Sequence, residues 1–214
     1  MIRCFIPIKQ NSKRVLNKNS RKINDKKLYE IVIEKCCSVS TIDEVIVDTD
    51  MQEVKDYCSL ENIKFIHRKP ENSLDSAGGN DLIETWIDLF PDTSIIIQTH
   101  VTSPFLKSET LYNMVEIMKS GAYDSCFTVN KEQTWFWYED KPVNYDLNKL
   151  TRSQDAKSLI KETTSTYCIR KDAFNLLNRR IGNKHFKYYV DKVEAIDIDD
   201  ELDFKMAKAI GELL

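Results

Sequence analysis

Ile6-Pro7-Ile8-Lys9-Gln10-Asn11-Ser12-Lys13-Arg14-Val15-Leu16-Asn17-Lys18-Asn19 is the stretch from which the fold reads. It closes an apolar run, Ile2 to Ile8, with the composition of a buried first strand. Four cations, Lys9, Lys13, Arg14 and Lys18, follow within ten residues, separated by the small polar Asn11, Ser12, Asn17 and Asn19. Such a loop at the end of a strand can wrap a polyphosphate. Its cations neutralise charge, and backbone N–H groups and hydroxyls satisfy the oxygens. The same composition also fits a solvated basic loop or a nucleic-acid patch.

Outward from this stretch, helical and strand periodicities alternate. Helices are expected over 27–37, 51–60 and 79–90 and from 108 onward, and strands over 44–48, 63–67, 94–99 and 125–129. The run Ile95-Ile96-Ile97 is the most apolar and predicts a strand buried on both faces. This order implies βαβ units and a mostly parallel sheet, a three-layer α/β fold of Rossmann-like type. Ligands of such sheets lie beyond the carboxyl ends of the strands, where the basic loop falls. Later in the chain, strands are expected at 166–170, 186–190 and 193–198. Helices are expected at 171–179 and 201–214, the last with Leu202, Met206, Ala207, Ile210 and Leu213 as its apolar stripe.

A chain of 214 residues suits one domain, 1–214, and the polar, aromatic-rich stretch 132–161 reads as a projecting insertion. Its consecutive Trp135, Phe136, Trp137 and Tyr138 fit a packed hairpin or a subunit interface. Lys and Arg number 31 against 34 Asp and Glu, a net charge of −3, so no overall basic field argues for nucleic acid. No apolar run approaches a membrane span. Cysteines 4, 36, 37, 58, 126 and 168 form no Cys-x-x-Cys pair and read as reduced, buried small hydrophobes of a cytoplasmic protein. His67, His100 and His185 show no metal-ligand spacing.

Asp197-Ile198-Asp199 is the second anchor. On a strand, an alternating pair sends both carboxylates to one face, where their repulsion calls for a cation such as magnesium. Asp199 or Asp200 can equally cap the final helix. Asp48-Thr49-Asp50 is another Asp-x-Asp, also readable as an ordinary polar turn. Arg68 is placed to reach a phosphate or the base, and the flexible stretch from Ser76 to Asn80 to approach a base or ribose. A surface loop with a helix cap is the alternative.

The first stretch resembles the signature of the acylneuraminate cytidylyltransferases (CMP-sialic acid synthetases) and their CMP-KDO synthetase relatives. Ser12, Lys13, Arg14, Lys18 and Asn19 match it in type and spacing. Lys9 replaces an arginine, and Gln10 and Asn11 replace glycines. Ile196 to Asp203 resembles the family's closing motif, in which two aspartates hold the metal. The likeness covers nearly the whole chain. It implies a nucleotidyltransferase of glycosyltransferase-A-like architecture, in which CMP passes from CTP to an acidic sugar of the sialic (nonulosonic) type and pyrophosphate leaves. Arg14, Lys18, Asp197 and Asp199 would be catalytic, with magnesium on the two aspartates. Nucleotide contacts would come from Ile8, Lys9, Asn11, Ser12, Arg14, Lys18, Asn19, Asp50, Arg68 and Ser76.

The acceptor side departs more from the family. Thr102, Ser103 and Pro104 match, but His100 and Val101 stand at its Gln-Pro, and Leu106 replaces an arginine. Glu162-Thr163-Thr164 lacks the family's Asn-Gly. Gln98, His100, Thr102, Ser103, Gln154, Thr163, Tyr188 and Tyr189 are the sugar-side candidates, and His100 is one candidate base because its ordinary pKa is near neutrality. The resemblance also implies a homodimer that exchanges the projecting segment. Two other functions fit the sequence. A glycosyltransferase would use Asp48 and Asp50 as its metal pair, and a nucleotide-sugar-binding protein would lack turnover.

Overall fold

Side chains of the first strand, β1 (Ile2–Ile8), alternate between two cores, as a strand buried on both faces requires. Cys4, Ile6 and Ile8 enter one and Phe5 the other. The computed structural model describes residues 1–10, 14–74, 76–149 and 152–214. After β1 come β2 (Lys22–Ile23), β3 (Lys26–Lys27), α1 (Leu28–Cys37), β4 (Glu44–Thr49), α2 (Gln52–Leu60), β5 (Lys64–His67), α3 (Gly79–Leu89), β6 (Ile95–Thr99) and α4 (Ser108–Lys119). The second half contains β7 (Ser125–Glu132), β8 (Trp137–Tyr138), β9 (Lys141–Pro142), β10 (Leu159–Arg170), α5 (Lys171–Leu177), β11 (His185–Tyr189) and α6 (Glu201–Gly211).

One seven-stranded sheet has the order β11-β7-β10-β6-β1-β4-β5. All its pairings are parallel except those of β10, which runs antiparallel between β6 and β7. The mostly parallel α/β sheet expected from the sequence is therefore present, and β6 is buried along its whole length. On one face, α1, α2 and α4 cover Ile6, Val47 and Ile97. On the other, Leu82, Ile83 and Trp86 of α3 and Phe174 of α5 cover Phe5, Ile46 and Ile96. Phe5 and Trp86 stack with ring centroids 4.7 Å apart.

Four details differ from the sequence-based expectations. Residues 193–198 form no strand. The Asp191 carboxylate accepts the N–H groups of Val193 and Glu194, and this local competition closes a turn instead. The stripe expected on α6 is met only in part, at Ala207: Leu202, Met206 and Leu213 are exposed, while Phe204 and Gly211 join Ala207 in packing on Ile23, Leu28 and Ile198. Arg21 explains the offset, since its guanidinium covers the Phe204 ring at 3.6 Å and pairs with Glu201 on the same helix. The late strand begins at Leu159, not 166, so both ends of the 132–161 stretch belong to the β7–β10 ladder. Cys37 is exposed, whereas the other five cysteines are buried.

These contacts make α6 dock through Phe204. Phe204→Ala is expected to cost about 3 kcal/mol in urea unfolding, while Leu202→Ser and Met206→Ser each cost under about 1 kcal/mol. The reverse ranking would restore the stripe read from the sequence.

Candidate active site

The parallel strands β1, β5 and β6 end on one side of the sheet, and the segments leaving them enclose a cleft of about 530 Å³. Its walls carry Lys9, Arg14 and Lys18 from the basic loop, Arg68 from the end of β5, and His100 and Thr102 from the loop after β6. Arg180, between α5 and β11, is a further cation of the wall. Leu74, Ala77, Gly78, Gly79 and Leu82 form its apolar and backbone floor.

The basic loop is folded back on itself and tied to the end of the chain. Asn19 is buried and donates to the Lys9 carbonyl at 2.9 Å. The Asp50 carboxylate accepts the Gln10 N–H at 2.7 Å and the Ser73 hydroxyl at 2.9 Å, so it holds the loop instead of facing the cleft. Lys18 Nζ donates to the Ile198 carbonyl at 2.8 Å, and Arg14 pairs with Asp199 at 2.6 Å. Burial lowers the Lys18 pKa, and the charges of Asp197 and Asp199 oppose that. Asn11 and Ser12 lie outside the described residues, as does Lys13.

Asp197 and Asp199 reach this seam from an irregular segment, so strand alternation is not what presents them. Asp197 Oδ2 accepts the Thr164 hydroxyl at 2.6 Å, while its Oδ1 is buried with no hydrogen-bond partner. An orphaned buried carboxylate oxygen close in sequence to a second carboxylate makes a pair of oxygen ligands that fits magnesium, which takes one or two carboxylates plus phosphate oxygens. No group of three or more His, Cys, Asp or Glu side chains fit to hold a metal occurs among the described residues. Asp200, not Asp199, caps α6: its carboxylate accepts the N–H groups of Leu202 and Asp203. Asp48 is buried and accepts the Trp86 indole N–H at 2.8 Å, committed to the α3 packing.

His100 is organised by a bulge in β10, where the β7 register shifts between Glu162 and Tyr167. Thr164 within it has φ +58°, a strained value for a β-branched residue. In that conformation the Thr164 carbonyl meets His100 Nδ1 at 2.7 Å while its hydroxyl reaches Asp197. A carbonyl only accepts, so Nδ1 carries the proton and Nε2 keeps its lone pair. Desolvation, then the nearby Arg180 charge, lower the His100 pKa to about 4, leaving the ring neutral at pH 7.

Several expected residues stand elsewhere. Ile8 is in the core. Arg68, by contrast, lines the cleft as expected, with its guanidinium donating to the Asn72 carbonyl, and Ser76 is exposed beside the floor residues. Gln98 is fully buried behind the wall. Ser103 is buried too, its hydroxyl without a partner. Thr163 is buried in a hydroxyl cluster with Thr128 and Ser165. Gln154 is exposed in a short turn of the insertion. Tyr188 accepts from Asn113 and packs on the core, while Tyr189 is exposed near Ile160 on another surface. Sequence reasoning missed Arg180 and Thr164. The Arg179-Arg180 doublet ahead of Gly182 was a weak signal for the first, and only the backbone reveals the second.

A family model described as cytidylyltransferase matches residues 4–213. The chain belongs to the cytidylyltransferase family. It is similar to N-acylneuraminate cytidylyltransferase A of Danio rerio, 27% identical over 97% of this chain and 50% of the relative. A CMP-N,N'-diacetyllegionaminic acid synthase of Legionella pneumophila is also 27% identical, over 99% of this chain and 97% of that protein. The chain thus spans about half the length of the first of these curated relatives and nearly all of the second. In fold it is similar to a CMP:2-keto-3-deoxy-manno-octonic acid synthetase solved with CTP, at a TM-score of 0.73 and 15% identity over 100% of this chain and 99% of the other.

The hydrogen bond and charges around His100 give this chain a spectroscopic signature. Nitrogen-detected NMR is expected to show the Nδ1–H tautomer from pH 8 down to near pH 4. An unfolded histidine takes its proton near 6.5, so this ring's share of stability is fully present above that value and is lost as pH falls from about 6.5 to about 4. A midpoint near 6.5 in the folded protein would place the ring in open solvent.

Proposed function

We propose that this chain transfers CMP from CTP to an acidic sugar of the nonulosonic type and releases pyrophosphate. The observation that carries it is the seam at the edge of the cleft, where Lys18 and Arg14 of the cationic wall meet the 197–199 segment through the Ile198 carbonyl and the Asp199 carboxylate. The names of the relatives support the nucleotide and the class of acceptor. Commitment of Asp48 to Trp86 and of Asp50 to the basic loop weighs against a glycosyltransferase metal pair at those positions.

Lys9, Arg14 and Lys18 hold the triphosphate and offset the charge that develops on the departing pyrophosphate. For Arg14 this means exchanging Asp199 for phosphate oxygens. Asp197 and Asp199 would hold magnesium, which when bound supplies positive charge at the α-phosphate. The apolar floor from Leu74 to Leu82 gives a flat base a surface to lie on, with Arg68 at its edge. His100 lines the cleft with a neutral ring that can accept the proton of the attacking anomeric hydroxyl, but as a weak base, because its pKa lies at about 4 and not near the neutral value on which the sequence-based expectation rests.

The enzyme works as a homodimer in this proposal. Trp135, Trp137 and Tyr138 stand 41%, 52% and 73% exposed on the insertion hairpin, which is more aromatic surface than an isolated hairpin leaves in water. Trp135 and Trp137 share one face and both pack on Tyr145. No helix among the described residues is long and apolar enough to cross a membrane, and the free cysteines suit a reducing cytoplasm.

Two experiments test this. Pyrophosphate release should require CTP, magnesium and a sialic-type acid; Asp197→Asn and Asp199→Asn should each lower turnover at least ~100-fold with unchanged circular dichroism. Arg14→Ala and Lys18→Ala should raise the KM for CTP or lower kcat more than Lys13→Ala. Near-normal turnover in both aspartate variants would remove the metal assignment. In sedimentation at micromolar concentration the chain should run near 50 kDa, about twice 25.0 kDa, and the double variant Trp135→Glu, Trp137→Glu near 25 kDa. A wild-type monomer would remove the dimer.

A further inference from the structure

Three helices satisfy the N–H that precedes them from within. The third residue of α1, Glu30, reaches back to the Lys27 N–H, Asp81 does the same for Gly78 on α3, and Asp203 for Asp200 on α6. On α4 the buried Thr110 occupies that place, and the Lys107 N–H goes instead to Glu194 Oε1 at 3.0 Å, 87 positions along the chain. Glu194 is 3% exposed. Its Oε2 lies 3.6 Å from Lys107 Nζ. Burial lowers the Lys35 pKa, and the Glu194 charge opposes that. A carboxylate this dry is costly to keep, and a helix cap alone does not require a buried one.

Glu194 joins two strips of chain. One is the loop after β6, residues 100–107, which carries His100 and Thr102 in the cleft wall. The other is 191–199, which carries Asp197 and Asp199. They meet at two points: Glu194 on the Lys107 N–H, and the Ile198 N–H on the Thr102 carbonyl at 2.9 Å. Asp197 lies between these links. The Thr164 hydroxyl bonds its carboxylate and the Thr164 carbonyl holds His100, so the contacts run in a closed ring from His100 through Thr164, Asp197 and Ile198 back to Thr102. From α1, Lys35 Nζ adds a tie to the Pro104 carbonyl at 2.6 Å. Because 193–198 forms no strand, no ladder fixes its register against the loop; the two links do. Groups that orient metal ligands from behind commonly govern how well the ligands work.

We propose that Glu194 is a positioning residue: it sets the Asp197–Asp199 segment against the cleft wall and so tunes the affinity for a divalent cation that it does not touch. The proposal rests on the cytidylyl-transfer reading above for its metal. Manganese(II) would be titrated into the full chain without nucleotide and followed by electron paramagnetic resonance. Glu194→Leu should bind it about 10-fold more weakly than wild type, whereas Glu194→Gln, which keeps an acceptor for the Lys107 N–H, should stay within about threefold. Turnover should split likewise: the magnesium concentration for half-maximal pyrophosphate release rises about 10-fold in Glu194→Leu, while the KM for CTP at saturating magnesium stays within about threefold. Met118→Ala, a core change near the other end of α4, supplies a destabilised control. It should lower the urea midpoint and leave manganese binding at the wild-type value. Equal manganese affinity in wild type and Glu194→Leu, equal losses in the Leu and Gln variants, or an equal loss in Met118→Ala would overturn the proposal. Should Glu194→Leu fail to fold by circular dichroism, Glu194→Asp, one methylene shorter, takes its place. If wild type bound manganese but released no pyrophosphate, the transfer reading would fall and the titration would still judge Glu194. If wild type bound no manganese, the metal reading would fall by itself. The nitrogen-detected His100 signal would then decide: a signal moved in Glu194→Leu and unmoved in Glu194→Gln keeps the positioning role, and no movement ends it.

Discussion

The charged seam between the first loop and the start of the last helix is the constraint on which the rest depends. Lys18 and Arg14 cannot be held together at the rim of a partly dry cleft without counter-charge. Ile198 and Asp199, about 180 positions along the chain, supply a carbonyl and a carboxylate. This closes the sheet's ligand end and explains why α6 docks on β2 and α1, away from the sheet. Because Arg14 and Asp199 are half exposed or more, their pair contributes little stability by itself and is readily exchanged for a stronger anion. The buried packing of Phe204 and Ile198 carries the docking, and the ion pair sets the alignment.

Most of the sheet was legible because its strands obey simple periodicity. Ile95-Ile96-Ile97 can satisfy three consecutive apolar side chains only between two helical layers, and it lies there. The basic loop was legible as a wall of the cleft from its charge spacing, and Asp199 pairs with it, although the strand invoked to present Asp197 and Asp199 is absent. Gln98, Thr163 and Tyr188 were misplaced for one shared reason. All three come from the family resemblance, and all three lie inside strands of a mixed sheet that has interior hydrogen-bond demands of its own. Gln98 serves the α3 terminus, Thr163 the hydroxyl cluster and Tyr188 an asparagine on α4. The place of Arg180 in the cleft wall was illegible because a glycine a hundred residues earlier leaves the room for it.

The bulge in β10 shows how a few atoms are shared between structure and chemistry. Thr164 takes up an unfavourable backbone angle, and in return one residue fixes a histidine tautomer with its carbonyl and steadies a carboxylate with its hydroxyl. Strain of this kind costs on the order of 1–3 kcal/mol and survives only where the surrounding ladder over-determines it. Here the ladder is continuous on both sides, from Leu159 to Glu162 and from Tyr167 to Ile169 against β7.

The antiparallel placement of β10 also orders events during synthesis. β6 is completed early in the chain and gains β1 on one side at once. Its other edge stays bare until residues 166–170 have emerged from the ribosome, some seventy positions later. Over that interval the nascent chain displays an unpaired, strongly apolar strand, the kind of edge that recruits other chains. Lys107 and Glu109, at the start of the helix that follows it, are the nearest downstream charges able to keep neighbouring chains apart while the edge waits for its partner.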